Sequence, residues 1–209
     1  MKRTLVLTLG LLTATAVSVE AQLNNFPVYA QPSGGPATYL GATYGHGMND
    51  ASGKADAYGA FVGRTGVGGR ASIFAGLGML DVEPESEWTF GGGVGVDVLP
   101  AGGSAQVSIQ GGIGYMSPGD ATVLNFPIGV ALKGNIEGPT ATVAPWIMPR
   151  LHVRRISNGT SVTETDFGVS GGFAVTLPSG FGVHTALDLL AVDPDNLWLL
   201  GVGVHYTMP

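Results

Sequence analysis

The chain has 209 residues, of which 35 are glycine, 11% are charged and none is cysteine, and its formal net charge is −6. Soluble domains carry about 25% charged residues and about 7% glycine, so this composition is unusual for a soluble protein. The missing cysteines exclude a disulfide framework, and the negative charge argues against a nucleic-acid partner.

The first residues have the pattern of a secretory signal peptide. Lys2 and Arg3 precede an apolar run over residues 5–17, and small residues flank Glu20. That run is shorter than the roughly 20 residues of a membrane-spanning helix. We therefore expect cleavage after Ala21, with residues 1–21 as the signal peptide, rather than an N-terminal anchor.

Residues 22–37 contain three prolines and no clean alternation, which predicts a periplasmic lead-in. From residue 38 onward, apolar and small or polar residues alternate with a period of two, the strand period. Later apolar runs are all broken by Gly, Pro or a polar residue, so no helical span is expected there. The predicted strands span 38–47, 55–65, 70–80, 87–98, 104–116, 121–132, 140–153, 165–177, 181–191 and 197–207.

The clearest hairpin covers residues 87–116. On one side of its two strands the residues are mostly aliphatic, as with Val94, Val96 and Ile109, whereas the other side is small and polar, with Gln106 and Gln110. An apolar face opposite a face of small and polar residues is typical of a strand with lipid outside and a polar lumen inside. The many inward glycines predict that any void in the lumen lies beside this hairpin.

Later segments repeat the pattern with two exceptions. Pro145 and Pro149 interrupt the strand 140–153, and since proline cannot donate a ladder hydrogen bond we expect a bulge there. Residues 154–164 lack clear alternation and are predicted to form the longest loop.

The count of about ten strands is even, so both chain ends lie on one side. Short glycine-rich turns then fall on that side and the longer, more acidic connections on the other. These features predict an all-β fold, a closed antiparallel up-and-down transmembrane β-barrel over residues 38–209. Eight strands remain possible if the first two segments pair differently.

The inward face of this barrel would carry charged and polar side chains of both signs. The predicted lumen-lining residues are Asp56, Arg64, Arg70, Asp97, Gln106, Gln110, Arg150, His152, Asp166, His184, Asp188 and His205. A group of His184, Asp188 and His205 is conceivable, but ordinary hydrogen-bonded lumen residues are the favoured interpretation. We predict no catalytic, cofactor or metal site, and hence no enzymatic activity.

Four outward aromatic residues fall near strand ends, where an aromatic girdle belongs. These are Trp88, Tyr115, Trp198 and Tyr206. Trp146 breaks the rule and falls on the lumen side.

The signal peptide, glycine-rich alternating strands, short turns on one side and aromatic last strand together resemble the small outer-membrane β-barrel proteins of Gram-negative bacteria. The resemblance covers residues 38–209 and rests on pattern rather than on a sharp motif. It implies export through the inner membrane, contact with outer-membrane lipid and insertion by the barrel-assembly machinery, with Tyr206 close to the chain end that this machinery recognises.

The sequence thus favours a non-enzymatic outer-membrane barrel, either structural or a narrow pore for small solutes. The alternative is a secreted soluble β-barrel that binds an apolar ligand, as lipocalins do, with its aliphatic face inward. The oligomeric state and any solute are not indicated.

Overall fold

The computed structural model describes residues 36–49, 55–82, 85–99, 105–191 and 196–208. The predicted signal peptide and nearly all of the lead-in lie outside the described residues and stay predictions. Among the described residues, no helix is long and apolar enough to cross a membrane.

The described residues form eleven strands in one antiparallel sheet, and ten of these strands make up a closed barrel. Their bounds are β1 Thr38–Gly47, β2 Asp56–Val67, β3 Ala71–Val82, β4 Glu85–Asp97, β5 Ala105–Met116, β6 Thr122–Gly134, β7 Ile136–Glu137, β8 Thr142–Asn158, β9 Thr160–Thr176, β10 Phe181–Ala191 and β11 Asn196–Met208. β7 is a two-residue extension that pairs only with the start of β8. The predicted ten-stranded barrel is confirmed.

Each barrel strand pairs with its neighbours in the chain, and the ring closes where β1 meets β11. In that pair Thr38, the first residue of β1, lies opposite Met208, the last residue of β11. The first strand therefore begins at the same end of the barrel at which the last strand finishes. We call this the terminal end and the opposite one the distal end.

The predicted sidedness of the strands is confirmed except in β2, whose two faces are the reverse of the prediction. Val94, Ile128 and Leu187 are exposed on the outside, whereas Gln106 and Asp188 are buried inside. Large apolar side chains are exposed on every barrel strand, far more than the isolated patches of a soluble monomer. This is the arrangement of a transmembrane barrel, and it is the opposite of a lipocalin-like barrel with an aliphatic interior.

The predicted loop over residues 154–164 is wrong. β8 continues to Asn158 and β9 begins at Thr160, and their register is unbroken from Thr142↔Thr176 to Asn158↔Thr160. Gly159 alone makes the reversal, with a φ of 69° that glycine adopts without steric cost. Alternation is hidden here because residues 160–165 are exposed on both faces of the sheet.

The bulge expected at Pro145 and Pro149 does not occur either. The β6–β8 register is the same on both sides of Pro149, and β8–β9 pairing passes through both prolines. A proline removes one donor from the ladder but inserts no extra residue, so the register is kept. The register shift in the described strands lies instead in β2, between Arg64 and Val67.

Candidate functional site

Inside the barrel, a buried ion pair joins two strands that have one strand between them. Arg150 on β8 bonds Asp188 on β10 through two contacts, Nη1 to Oδ1 at 2.7 Å and Nη2 to Oδ2 at 2.8 Å, and both side chains are fully buried. Ser170 on β9, between them in the sheet, donates its hydroxyl to Asp188 Oδ1 at 2.6 Å and also contacts Arg150 Nη1. A buried ion pair needs this kind of doubly bonded geometry to offset its desolvation.

A second interior group is a chain of two histidines and two threonines. His184 on β10 and His205 on β11 bond through their Nδ1 atoms at 3.2 Å. Their Nε2 atoms bond the hydroxyls of Thr43 and Thr176, at 3.0 and 2.9 Å. Since a neutral imidazole has one N–H, one ring must donate at Nδ1 and the other at Nε2. Each of the four ring nitrogens therefore has a hydrogen-bond partner.

Glycines make room for these imidazoles. A Cβ added at Gly203 would contact the His184 ring, and one added at Gly182 would contact the His205 ring. Each of these glycines lies directly opposite a histidine on the neighbouring strand, and its missing side chain leaves the space that the imidazole occupies.

A third polar group lies towards the distal end. His152 bonds the amide oxygen of Asn125 through Nε2 at 3.0 Å. Arg154 bonds Glu164 through Nε at 3.1 Å and through Nη2, and its Nη2 lies 3.9 Å from Asp166 Oδ2. In this ion pair Arg154 is buried, whereas the side chain of Glu164 is partly exposed at the surface.

Apolar clusters fill the space between and beyond these polar groups. The distal cluster is formed by Ala55, Ala57, Leu80, Met116, Val123 and Leu199. The terminal cluster contains Tyr39, Phe61 and Ala174. Between them lies the middle cluster of Ala131, Trp146, Met148 and Ala186. Packed apolar side chains therefore occupy the interior towards both ends of the barrel.

A small cavity remains beside the glycine-rich wall. It is lined in part by Gly112, Gly129, Met148 and Arg150, and the space for the centre of a water molecule is about 10 Å³. That is about the room that one water needs, so this cavity is far smaller than a solute path. It lies beside Gly112, one of the inward glycines of β5 where a void was expected, but no β4 residue lines it.

The structure places most of the predicted lumen residues inside the barrel. Asp97, Gln106, Gln110, Arg150, His152, Asp166, His184, Asp188 and His205 all lie on the inward side of their strands. It brings His184 together with His205, but Asp188 bonds Arg150 rather than either histidine.

Three predicted lumen residues do not point inward. Asp56 and Arg64 lie on the outer face of β2, the face of Tyr58 and Val62, and Arg70 is exposed in the turn before β3. The prediction failed because polar residues occur on both faces of β2, where Phe61 and Thr65 turn inward. Asp56 and Arg64 sit near opposite strand ends, where a charge on the outer face costs only about 0–1 kcal/mol.

The four predicted girdle residues are exposed on the outer face. Trp88, Tyr115 and Trp198 lie in the distal halves of their strands, and Tyr206 lies at the terminal end. Trp146 is buried inside with Met148 and follows the regular alternation of β8, so no bulge is needed to explain its direction.

Sequence reasoning missed the neutral partners of the charged interior residues. Thr43, Asn125, Ser170 and Thr176 complete the three polar groups. Their inward parity was the available signal, but a hydroxyl or amide in a strand gives no sign of its partner. No set of three or more His, Asp or Glu side chains in the described ranges is placed to hold a metal ion.

Comparisons with known proteins bear on the fold. No family model matches the chain, and no curated protein matches its sequence. Among solved structures, the translocator domain of the autotransporter NalP from Neisseria meningitidis has a TM-score of 0.50 and 13% identity, over 93% of this chain and 96% of that domain.

Two further structures are less similar. The β domain of the Bordetella autotransporter Brka has a TM-score of 0.48 at 12% identity, with 84% and 99% of the two chains covered. The outer membrane enzyme PagL has a TM-score of 0.35 at 12% identity, with 82% and 99% covered. At such low identity a likeness concerns the fold alone, and the NalP translocator domain, with its TM-score of 0.50, supports the closed β-barrel fold.

Proposed function

We propose that this chain is an outer-membrane barrel with a closed interior and a structural role, rather than a pore. The carrying observation is the Arg150–Asp188 ion pair, which joins β8 and β10 inside the barrel with both side chains fully buried. Apolar clusters close the interior above and below it. Side chains that fill a narrow barrel in this way hold its shape and exclude solutes.

Location in the outer membrane is supported by the outer surface. Exposed aliphatic and aromatic side chains surround the barrel, and such a surface requires hydrocarbon around it. In this proposal the signal peptide over residues 1–21 directs export, the barrel-assembly machinery inserts the chain, and both chain ends lie in the periplasm.

A non-enzymatic role is supported by how the candidate nucleophile and bases are used. Ser170 is buried and bonded to Asp188 and Arg150, so it has no histidine to activate it. His184 and His205 bond each other and two threonines. Ser170, His184 and His205 are therefore all engaged in hydrogen bonds between strands.

Single-channel recording in planar bilayers tests the closed interior. The wild-type barrel should produce no conductance steps. A variant with Phe61, Trp146, Arg150 and Asp188 all replaced by alanine removes the ion pair and parts of two clusters, and should conduct once its folding has been verified by heat-dependent gel mobility. Regular steps from the wild-type protein would overturn the proposal in favour of a narrow pore.

A further inference from the structure

Two arginines lie at the terminal end of the β2–β3 hairpin. Arg64 is exposed on the outer face of β2, where it lies opposite Ile73 of β3. Arg70 is exposed in the turn that joins the two strands. The next outward residue of β2 towards the middle of the barrel is the exposed Val62. The Arg64 guanidinium therefore lies where the apolar outer surface of this hairpin ends.

A β-bulge brings an apolar side chain of this hairpin to the same face. The register shifts by one residue between Arg64 and Val67, and Gly66 has a φ of 69° there, as the first residue of a glycine bulge does. In a regular strand, residues three apart point to opposite faces. Because of the extra residue, Arg64 and Val67 are both exposed, while Thr65 between them is buried. An apolar side chain therefore accompanies the charged one on the outer face.

The turn itself leaves two backbone N–H groups without a backbone acceptor. Gly68 and Gly69 have φ of 60° and 89°, and a Cβ added at either would meet no heavy atom beyond its chain neighbours within 4 Å. The Gly69 N–H bonds Gly66 O at 3.1 Å, whereas those of Gly68 and Arg70 bond no backbone oxygen among the described residues. Successive N–H groups in a turn form a concave site for anions. The turn therefore adds two backbone donors to the two guanidinium groups.

No carboxylate of the described residues neutralises these two arginines. None of the ion pairs within the described ranges includes them. Arg64 has a neutral partner, the Thr38 hydroxyl, at 3.5 Å. Asp97, whose N–H donates to Arg70 O at 2.9 Å, lies on the inward side of β4. One hairpin thus presents two uncompensated guanidinium groups at the outer rim of the barrel.

The chemistry of this group of donors is that of a phosphate site. A guanidinium binds phosphate oxygens through two parallel N–H bonds, and basic residues at a membrane surface attract anionic lipids. The exposed Val62, Val67 and Ile73 offer an apolar surface to the acyl chains of such a lipid, and a free phosphate ion has no part that would contact it. These apolar neighbours favour a lipid phosphate over a free phosphate ion.

We infer that the β2–β3 turn binds the phosphate of an anionic phospholipid between the guanidinium groups of Arg64 and Arg70. The two free N–H groups of the turn donate to the same phosphate, and an acyl chain lies along Val62 and Ile73. The site belongs to the leaflet at the terminal end, which is the periplasmic leaflet in the proposed orientation. The inference rests on the proposed membrane location, but a barrel can reside in a bilayer without selecting any headgroup.

Native mass spectrometry of the folded barrel in an uncharged maltoside detergent tests this site. A short-chain phosphoglycerol lipid is titrated in parallel with a phosphocholine lipid of equal chain length. Both lipids carry a phosphate, but only the first has a net negative charge. The phosphoglycerol lipid should bind about tenfold more tightly, since each arginine contributes an attraction of roughly fivefold to a negative lipid. Equal affinity for the two lipids, or tighter binding of phosphocholine, would overturn the inference.

Single substitutions test the two charges separately. Arg64→Gln and Arg70→Gln should each weaken phosphoglycerol binding about fivefold. Arg155→Gln is the matched control, because Arg155 is an exposed arginine on the outer face of β8 at the distal end, and it should leave the affinity unchanged. Heat-dependent gel mobility verifies that each variant is folded. Unchanged affinity in Arg64→Gln, or the same loss in Arg155→Gln, would contradict the site.

Two further measurements separate a lipid site from a free-anion site and from the membrane location itself. Inorganic phosphate at millimolar concentration should not displace the phosphoglycerol lipid, because it lacks the acyl chains. Displacement would mean a site for a free anion and would overturn the lipid assignment. Flotation of the barrel with vesicles is measured alongside. A barrel that floats but binds both headgroups equally overturns this inference alone, whereas one that does not float overturns the proposed membrane location.

Discussion

Asp188 on β10 receives both Nη atoms of Arg150 on β8, at 2.7 and 2.8 Å, with no solvent access to either side chain. β9 lies between these two strands, so the ion pair joins strands that are not neighbours in the sheet. It therefore ties β8 to β10 on the inner side of the wall.

Removing one partner of this pair should be costly, because the other charge stays buried without compensation. Asp188→Ala should lower the free energy of unfolding by about 3–5 kcal/mol, measured by urea unfolding in lipid vesicles. Asp120→Ala, at an exposed turn position, should leave the unfolding curve unchanged. A double variant, Arg150→Met with Asp188→Leu, should recover most of the loss, and an Asp188→Ala barrel as stable as the wild type would contradict the assigned role.

The outer face can be tested with a charge at two depths. Ile128 lies in the middle of β6 and Ile136 in the short β7, and both are 60% exposed. Ile128→Arg should cost about 2–4 kcal/mol of unfolding free energy in vesicles, and Ile136→Arg about 0–1, because the cost of a lipid-facing arginine falls towards the interface. Equal costs at the two positions would mean that Ile128 does not face the hydrocarbon centre.

The close approach of β9 and β10 can be tested with substitutions at two glycines. A Cβ at Gly172 would collide with the backbone oxygen of Thr185 and lie 2.7 Å from Ala186 Cα, whereas one at Gly111 would meet only Pro127 O, at 3.7 Å. Gly172→Ala should therefore destabilise the barrel by about 1–3 kcal/mol, and Gly111→Ala should change it little. The same urea titration measures both, and a neutral Gly172→Ala would show that β9 and β10 are less closely packed than described.

Strand positions and sidedness were accessible from the sequence because the contrast between the two faces is strong in most strands. In β4, for example, Val94 and Val96 alternate with Gly93 and Gly95, and such a pattern has one phase. β2 was assigned the wrong phase because Asp56 and Arg64 share a face with Tyr58 and Val62. Which face of β2 turns inward depends on the side chains that the other strands place in the lumen.

The interior pairing could not be read from the sequence for a related reason. Arg150 and Asp188 are 38 positions apart, and His184 and His205 are 21 apart. Alternation tells which side chains enter the lumen but not the level at which each lies, since that depends on strand tilt and register around the whole ring. Which small residues bond these side chains, as Ser170 and Thr43 do, depends on the level at which each side chain lies.

The three tryptophans of the chain provide the most direct test of the account. Trp88 and Trp198 are exposed on the outer face, and Trp146 is buried in the lumen. In single-tryptophan variants, with the other two replaced by phenylalanine, brominated lipid should quench the fluorescence of Trp88 and Trp198 strongly and leave Trp146 largely unquenched. Strong quenching of Trp146, with Trp88 and Trp198 unaffected, would contradict a barrel whose apolar face meets lipid.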